Sequence, residues 1–157
     1  MIWPVADLQL RVLPDPVLRT VCTRVTVFDA MLAALVKDML AVMYAASGRG
    51  LAAPQVGISK RIFVMDETWK DGFPEPQVFV NPEIVTYSNF AVVMVERCLS
   101  IPYKFSRVAR PAEIRLCWQN LDGALHADRF TNFSAACVQH ERDHLDGILC
   151  TDYPEAT

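Results

Sequence analysis

Near the end of the chain, Gln139-His140-Glu141-Arg142-Asp143-His144 sets two histidines four residues apart around a glutamate. On a helix such residues lie about 40° apart around the axis, so both imidazoles can grip one metal ion. Glu141, rotated to one side, can reach a water on that ion and move its protons. The apolar residues just upstream, Phe133, Ala136 and Cys137, continue directly into His140 and His144. The histidines therefore sit at the end of a buried helical face, where they would be costly without a partner. The box demands a covered C-terminal helix, and it points to hydrolysis. A pair of hydrogen-bonded histidines at a helix end is the plainer alternative.

The rest of the chain shows what can cover that helix. Asp15-Pro16 reads as an N-cap and first helical position, opening a short helix through about Val21. Asp29 caps a longer one, in which Met31, Leu32, Leu35, Val36, Met39, Leu40 and Met43 recur at helical spacing and Gly48 gives the stop. Its methionines read as core filler. Arg61–Met65, Gln77–Asn81, Glu83–Tyr87, Phe90–Glu96 and Glu113–Gln119 are short, rich in β-branched and aromatic residues, and bounded by Pro and Gly, which predicts strands. Asn120-Leu121-Asp122-Gly123 is a turn signal that folds Ala124–Phe130 back as a hairpin partner. Thr131 or Asn132 caps the histidine-bearing helix, Gly147 stops it, and Trp69–Pro76 reads as the most exposed loop. The expected fold class is α+β: mostly antiparallel strands packed around a C-terminal HExxH-bearing helix, with an N-terminal helix.

At 157 residues, 52% hydrophobic and 21% charged, the chain reads as one globular domain, residues 1–157. A formal charge of −3 with no basic tract gives no footprint for nucleic acid. The longest apolar runs, such as Phe90–Val95, are too short to span a bilayer. Met1-Ile2-Trp3-Pro4 lacks the basic-then-apolar pattern of a signal peptide. Cys22, Cys98, Cys117, Cys137 and Cys150 make an odd count with no CxxC pair, so a reducing, cytoplasmic setting is expected.

A metal needs a third ligand, and the residues leave two sites open. His140, His144 and Cys150 follow the spacing HExxHxxGxxH with cysteine in the last place, as in a metzincin endopeptidase, and Gly147 supplies the turn. Only seven residues follow Cys150, too few for the methionine turn of those proteases. The other site is Cys98, at the end of the strand Phe90–Glu96, from which a thiolate can pass over the ligand helix. A stretch of small residues, Gly48-Arg49-Gly50-Leu51-Ala52-Ala53-Pro54-Gln55, adds a third signal. It is no phosphate loop, but small residues let a backbone approach a ligand closely, and Gln55 can offer an amide N–H to a developing oxyanion.

Gly48–Gln55 resembles the GxGLAAPQ motif of the peptide deformylases, Glu96–Ser100 their EGCLS motif, and Gln139–His144 their QHExDH motif. The order and separations fit, and the likeness runs from about Val12 to Tyr153. The resemblance implies a metal held by Cys98, His140 and His144, with water in the fourth position and Glu141 as general base and then acid. It implies an oxyanion site made of the Gln55 side chain and the backbone N–H of Leu99. Gly50 would dock the main chain of the substrate, and Ala136 and Cys137 would line the pocket for its methionine side chain. The implied reaction is removal of formate from the N-terminal formyl-methionine of newly made proteins. The implied ion is Fe²⁺ in the cell, with Zn²⁺, Ni²⁺ or Co²⁺ able to occupy such a site.

Two features depart from that pattern. Arg97 stands where the family has glycine, and only 13 residues follow His144, a short tail that argues against docking on the ribosome. Strand alternation predicts that Arg97 points opposite to Glu96 and Cys98, into solvent at the rim of the site, where it can attract acidic residues downstream of the substrate methionine, an effect that added salt weakens. Besides the deformylase reading stand two alternatives. One is an endopeptidase using Cys150; the other is a catalytically weak relative that binds N-terminal peptides with Arg97 across its site.

Overall fold

In the computed structural model, which describes residues 8–157, the local signals act where their chemistry places them. The N-terminal residues Met1–Pro4, read above for a leader, lie outside the described part. The Asp15 side chain accepts from the Val17 N–H and starts a single 3-10 turn, Pro16–Arg19, shorter than the helix expected there. Asp29 accepts from the Leu32 N–H and caps α1, Ala30–Ala45. The stop falls earlier than Gly48. Ser47 takes the left-handed conformation (φ 58), and the Gly48 N–H closes the end on Met43 O at 2.9 Å.

Five strands form one antiparallel sheet: β1 (Gly50–Ala52), β2 (Ile62–Met65), β3 (Gln77–Tyr87), β6 (Glu113–Gln119) and β7 (Leu125–Thr131), in the order β1-β2-β3-β6-β7. A separate antiparallel ribbon is made of β4 (Ala91–Cys98) and β5 (Ile101–Pro111). Helix α2, Asn132–His144, closes the order. Residues alternate along the sheet strands and supply both cores. Leu51, Ile62, Val64 and Val80 pack with Leu32, Leu35, Val36, Met39 and Met43 of α1. Ala52, Phe63, Met65, Phe79, Ile114 and Leu116 pack with Ala135 and Val138 of α2. β2 is thus buried on both faces, whereas α2 lies across one face with its histidines at the far end.

Three differences from the sequence reading have physical causes. Gln77–Asn81 and Glu83–Tyr87 form one strand, because a bulge between Val80 and Glu83 absorbs Pro82. Asn81, at φ 50, replaces the lost ladder bonds: it accepts from Val25 N–H at 2.8 Å and donates to Val25 O at 2.9 Å. β5 was not expected. Its inward residues are Ser106, Val108 and Arg110, so the covered face carries no apolar alternation to read. Trp69–Pro76 is exposed as expected except at Trp69, whose indole N–H donates to Gly48 O at 2.9 Å. The turn at Asn120–Gly123 forms as expected, Asn120 Oδ1 accepting from Asp122 N–H and Ala124 N–H. Gly147, at φ 72, lies where a Cβ would come within 2.6 Å of Arg19 O, so glycine is needed there for both conformation and room. No helix among the described residues is long and apolar enough to cross a membrane.

Candidate metal centre and active site

Three elements converge beneath one cleft. Helix α2 presents His140, Glu141 and His144; the end of β4 presents Glu96 and Cys98; and β1 with the 3-10 turn after it presents Gly50 and Gln55. Gln139 ties the helix down, donating from Nε2 to Pro111 O at 3.0 Å. β4 runs two residues further than expected, so alternation turns Glu96 and Cys98 inward and Arg97 outward.

Cys98, His140 and His144 each offer one donor atom, and these atoms lie within 4.8 Å of one another. All three residues are buried, and Cys98 Sγ lies 3.4 Å from His144 Nε2. Cys150 is buried too, but it groups with Glu96 and His140 instead of with the histidine pair. The ligand set of the endopeptidase alternative is therefore not assembled.

One thiol and two imidazoles suit a divalent ion that keeps a further position open toward a cavity. The surroundings fit such an ion. Glu141 Oε1 is buried beside these three residues with no hydrogen-bond partner, a cost seldom left standing in an interior. Burial works against a charge on His140, yet Glu141, Cys98 and Glu96 hold its pKa well above the ordinary value. Burial and then His140 push His144 well below it.

Partners outside this trio fix its orientation. His140 Nδ1 lies 2.9 Å from Glu96 Oε1, which leaves Nε2 as the free ring nitrogen. Arg110 clamps Glu96 with Nε at 2.5 Å and Nη2 at 2.9 Å, and reaches Asp143 Oδ2 with Nη1 at 2.9 Å. Tyr153 donates to the same Asp143 oxygen at 2.6 Å. Burial raises the Glu96 carboxyl, but the bonds from His140 and Arg110 outweigh it and keep the group ionised below the usual range. Sequence reasoning missed Arg110, Asp143 and Tyr153. Asp143 lay inside the HExxH box as a signal, whereas nothing local marked the other two.

Gln55 is held for use. Its Oε1 accepts from Ala52 N–H at 2.9 Å, so Nε2 faces the site, 3.0 Å from Ser100 Oγ and 3.7 Å from Cys98 Sγ. Leu99 sits in the two-residue turn joining β4 to β5. Gly50 has a reason the sequence did not show: a Cβ there would stand 2.5 Å from Glu141 Oε2 and 2.9 Å from its Cδ. The missing side chain makes room for the glutamate. Burial pushes the Glu141 carboxyl up to about 7, against the pull of His140.

The cleft above these groups has a volume of about 750 Å³ and is lined by Gly50, Gln55, Cys98, Leu99, His140 and Glu141, with Ala136 and Cys137 along one wall. Arg97 lines it too, from outside. It is exposed, and its guanidinium lies 4.1 Å above the Phe105 ring.

The polypeptide deformylase family model matches residues 8–156. A peptide deformylase of Rhizorhabdus wittichii is 46% identical over 145 residues, covering 89% of this chain and 82% of that protein. The Rhizobium meliloti peptide deformylase is 45% identical over 144 residues, 92% of this chain and 83% of its own length. Among solved structures, the Thermotoga maritima peptide deformylase superimposes with a TM-score of 0.88 at 39% identity, covering 94% of this chain and 97% of that one. A Synechococcus elongatus peptide deformylase in complex with actinonin gives 0.91 at 37% identity, covering 98% and 84%.

Proposed function

This chain belongs to the polypeptide deformylase family, and from that premise we propose the parts its residues take in removing the formyl group from N-terminal formyl-methionine, releasing formate. The observation that carries the assignment is the meeting of Cys98, His140 and His144 beside a buried, unpartnered carboxylate oxygen of Glu141. These three residues hold the ion. When bound there, a divalent cation supplies Lewis acidity to the formyl carbonyl and acidifies water. The donor set and the family favour Fe²⁺ in the cell, with Zn²⁺, Ni²⁺ or Co²⁺ as substitutes. Metal analysis of anaerobically purified protein tests that choice.

Glu141 takes the proton of the attacking water at its carboxylate and returns it to the leaving nitrogen. Buried, and without a partner at Oε1 beside the three ligands, its carboxylate is placed for both halves of that transfer. Gln55 Nε2 turns from Ser100 to the developing oxyanion, joined by the Leu99 N–H. The Gly50 backbone docks the main chain of the substrate, and Ala136 and Cys137 take its methionine side chain. The substrates are the formylated ends of nascent proteins, met in the cytoplasm.

Glu141→Gln keeps all three ligands and removes the proton carrier. Metal content should stay at the native level while formate release falls by roughly 10²–10⁴. Near-native turnover in that variant would overturn the mechanism.

A further inference from the structure

The cleft floor is acidic and sulfur-bearing, but four cations line the same cleft. Arg49, Lys70, Arg97 and Lys104 all line it, on a chain whose formal charge is −3. Among the described residues, none of these four has a carboxylate oxygen within 4.0 Å; the ion pairs that do form lie elsewhere. Three nearby carboxylates are engaged elsewhere. Glu96 is clamped by Arg110, Asp66 accepts from Tyr44 and from the Glu75 N–H, and Glu67 accepts from Ser134.

Three of the cations rest on aromatic faces instead. Arg97 lies 4.1 Å over Phe105, Arg49 5.9 Å over Phe133, and Lys70 5.7 Å over Trp69. A ring face positions a cationic head without neutralising it. The heads also feel one another: burial, then Arg49 and Arg97, lower the pKa of Lys70. Like charges gathered at one opening repel, and an anion entering there relieves the repulsion.

We propose that this rim selects substrate by charge, favouring formyl-methionyl chains with Asp or Glu among the residues that follow the methionine. The inference rests on the hydrolase reading above. An extended chain advances roughly 3.3 Å per residue, so a peptide with its first side chain between Ala136 and Cys137 carries its next residues out past the rim. Nucleic acid fits less well. Phosphate tracking spreads cations along a surface, whereas these gather at a single cleft on a net acidic chain.

The test compares formyl-Met-Glu-Asp-Ala with formyl-Met-Ala-Ala-Ala on the metal-loaded protein. Exposed charge pairs acting together should favour the acidic peptide roughly fivefold to tenfold in kcat/KM at low ionic strength. That ratio should shrink toward one at about 0.5 M salt. A Lys70→Glu, Arg97→Glu, Lys104→Glu triple variant, in which carboxylates outnumber the remaining Arg49, should turn the preference toward formyl-Met-Lys-Arg-Ala, a reversal that loss of structure cannot produce. Equal kcat/KM at low salt, or a preference untouched by salt and by charge reversal, would overturn the rim. Binding of the same peptides, fluorescently labelled, separates this inference from the reading beneath it. Tighter binding of the acidic peptide with no formate released sinks the hydrolase and keeps the rim. Equal binding of both peptides sinks the rim whatever the turnover, as does a uridine oligonucleotide that binds while the peptides show no difference.

Discussion

Two stretches of nearly the same composition meet opposite fates in this molecule. Ile62-Phe63-Val64-Met65 of β2 is buried throughout, no residue more than 1% exposed, while in Val92-Val93-Met94-Val95 of β4 the valines at 93 and 95 are 42% and 61% exposed. β2 lies inside the five-stranded sheet, with α1 on one face and α2 on the other. β4 belongs to a two-stranded ribbon whose outer face nothing in the described residues covers. Composition alone does not separate them. The sheet holds the molecule together; the ribbon uses its one covered face to deliver Glu96 and Cys98 to the site.

That contrast breaks first if Cys98→Ala, a change on the ribbon, leaves the metal in place. Expected instead is near-complete loss of metal and of formate release, with thermal unfolding still cooperative; Cys150→Ala should keep both metal and activity. Metal analysis beside calorimetry reads the two together.

Phe63→Ala tests the sheet. Phe63 is fully buried and stacks on Phe79 with ring centroids 4.6 Å apart, so truncation should cost about 3–5 kcal/mol of stability. Urea unfolding measures it. Below its transition the variant should still bind metal stoichiometrically. A loss of metal without a loss of stability would mean that the sheet, too, serves the site directly.

Glu96→Gln sharpens the comparison from the ribbon's covered face. It weakens the hold on His140 Nδ1 and leaves Arg110 with less compensation. Orienting partners of this kind commonly control metal affinity by about 10–100-fold. Competition with a chelator should show a drop in that range, with partial recovery in Glu96→Asp. An affinity unchanged by Glu96→Gln would reduce the contact to packing.

On the ribbon's outer face the effect should be smallest. Val95→Ala, at an exposed position, should shift stability by no more than about 0.5 kcal/mol. A larger loss would show that the outer face is covered in solution after all.

The features legible in the sequence share a short range. Asp29, Asp15 and Asn120 act on backbone groups within four residues, and the two histidines of α2 share a face because the helix repeats. Propensity and turn chemistry of this reach are written into neighbouring residues, so the α+β class, both helices and most strands could be read. The three motifs at Gly48–Gln55, Glu96–Ser100 and Gln139–His144 also marked the family, and all three contribute residues to the cleft.

What the sequence could not decide was set by contacts between distant residues. Whether Cys98 or Cys150 meets both histidines depends on how the ribbon lies across α2. β5 stayed hidden because its covered face carries Ser106 and Arg110, and that arginine declares its purpose only once Glu96 and Asp143 stand beside it. Gly50 yields its side-chain space to Glu141, and four cations from separate segments line one cleft. By itself the sequence determined which chemistry to look for, since helical spacing brings histidines together locally. Only the tertiary structure decided which cysteine meets the two histidines, which groups brace them and which cations share the cleft, since these depend on strand register and packing between segments tens of residues apart.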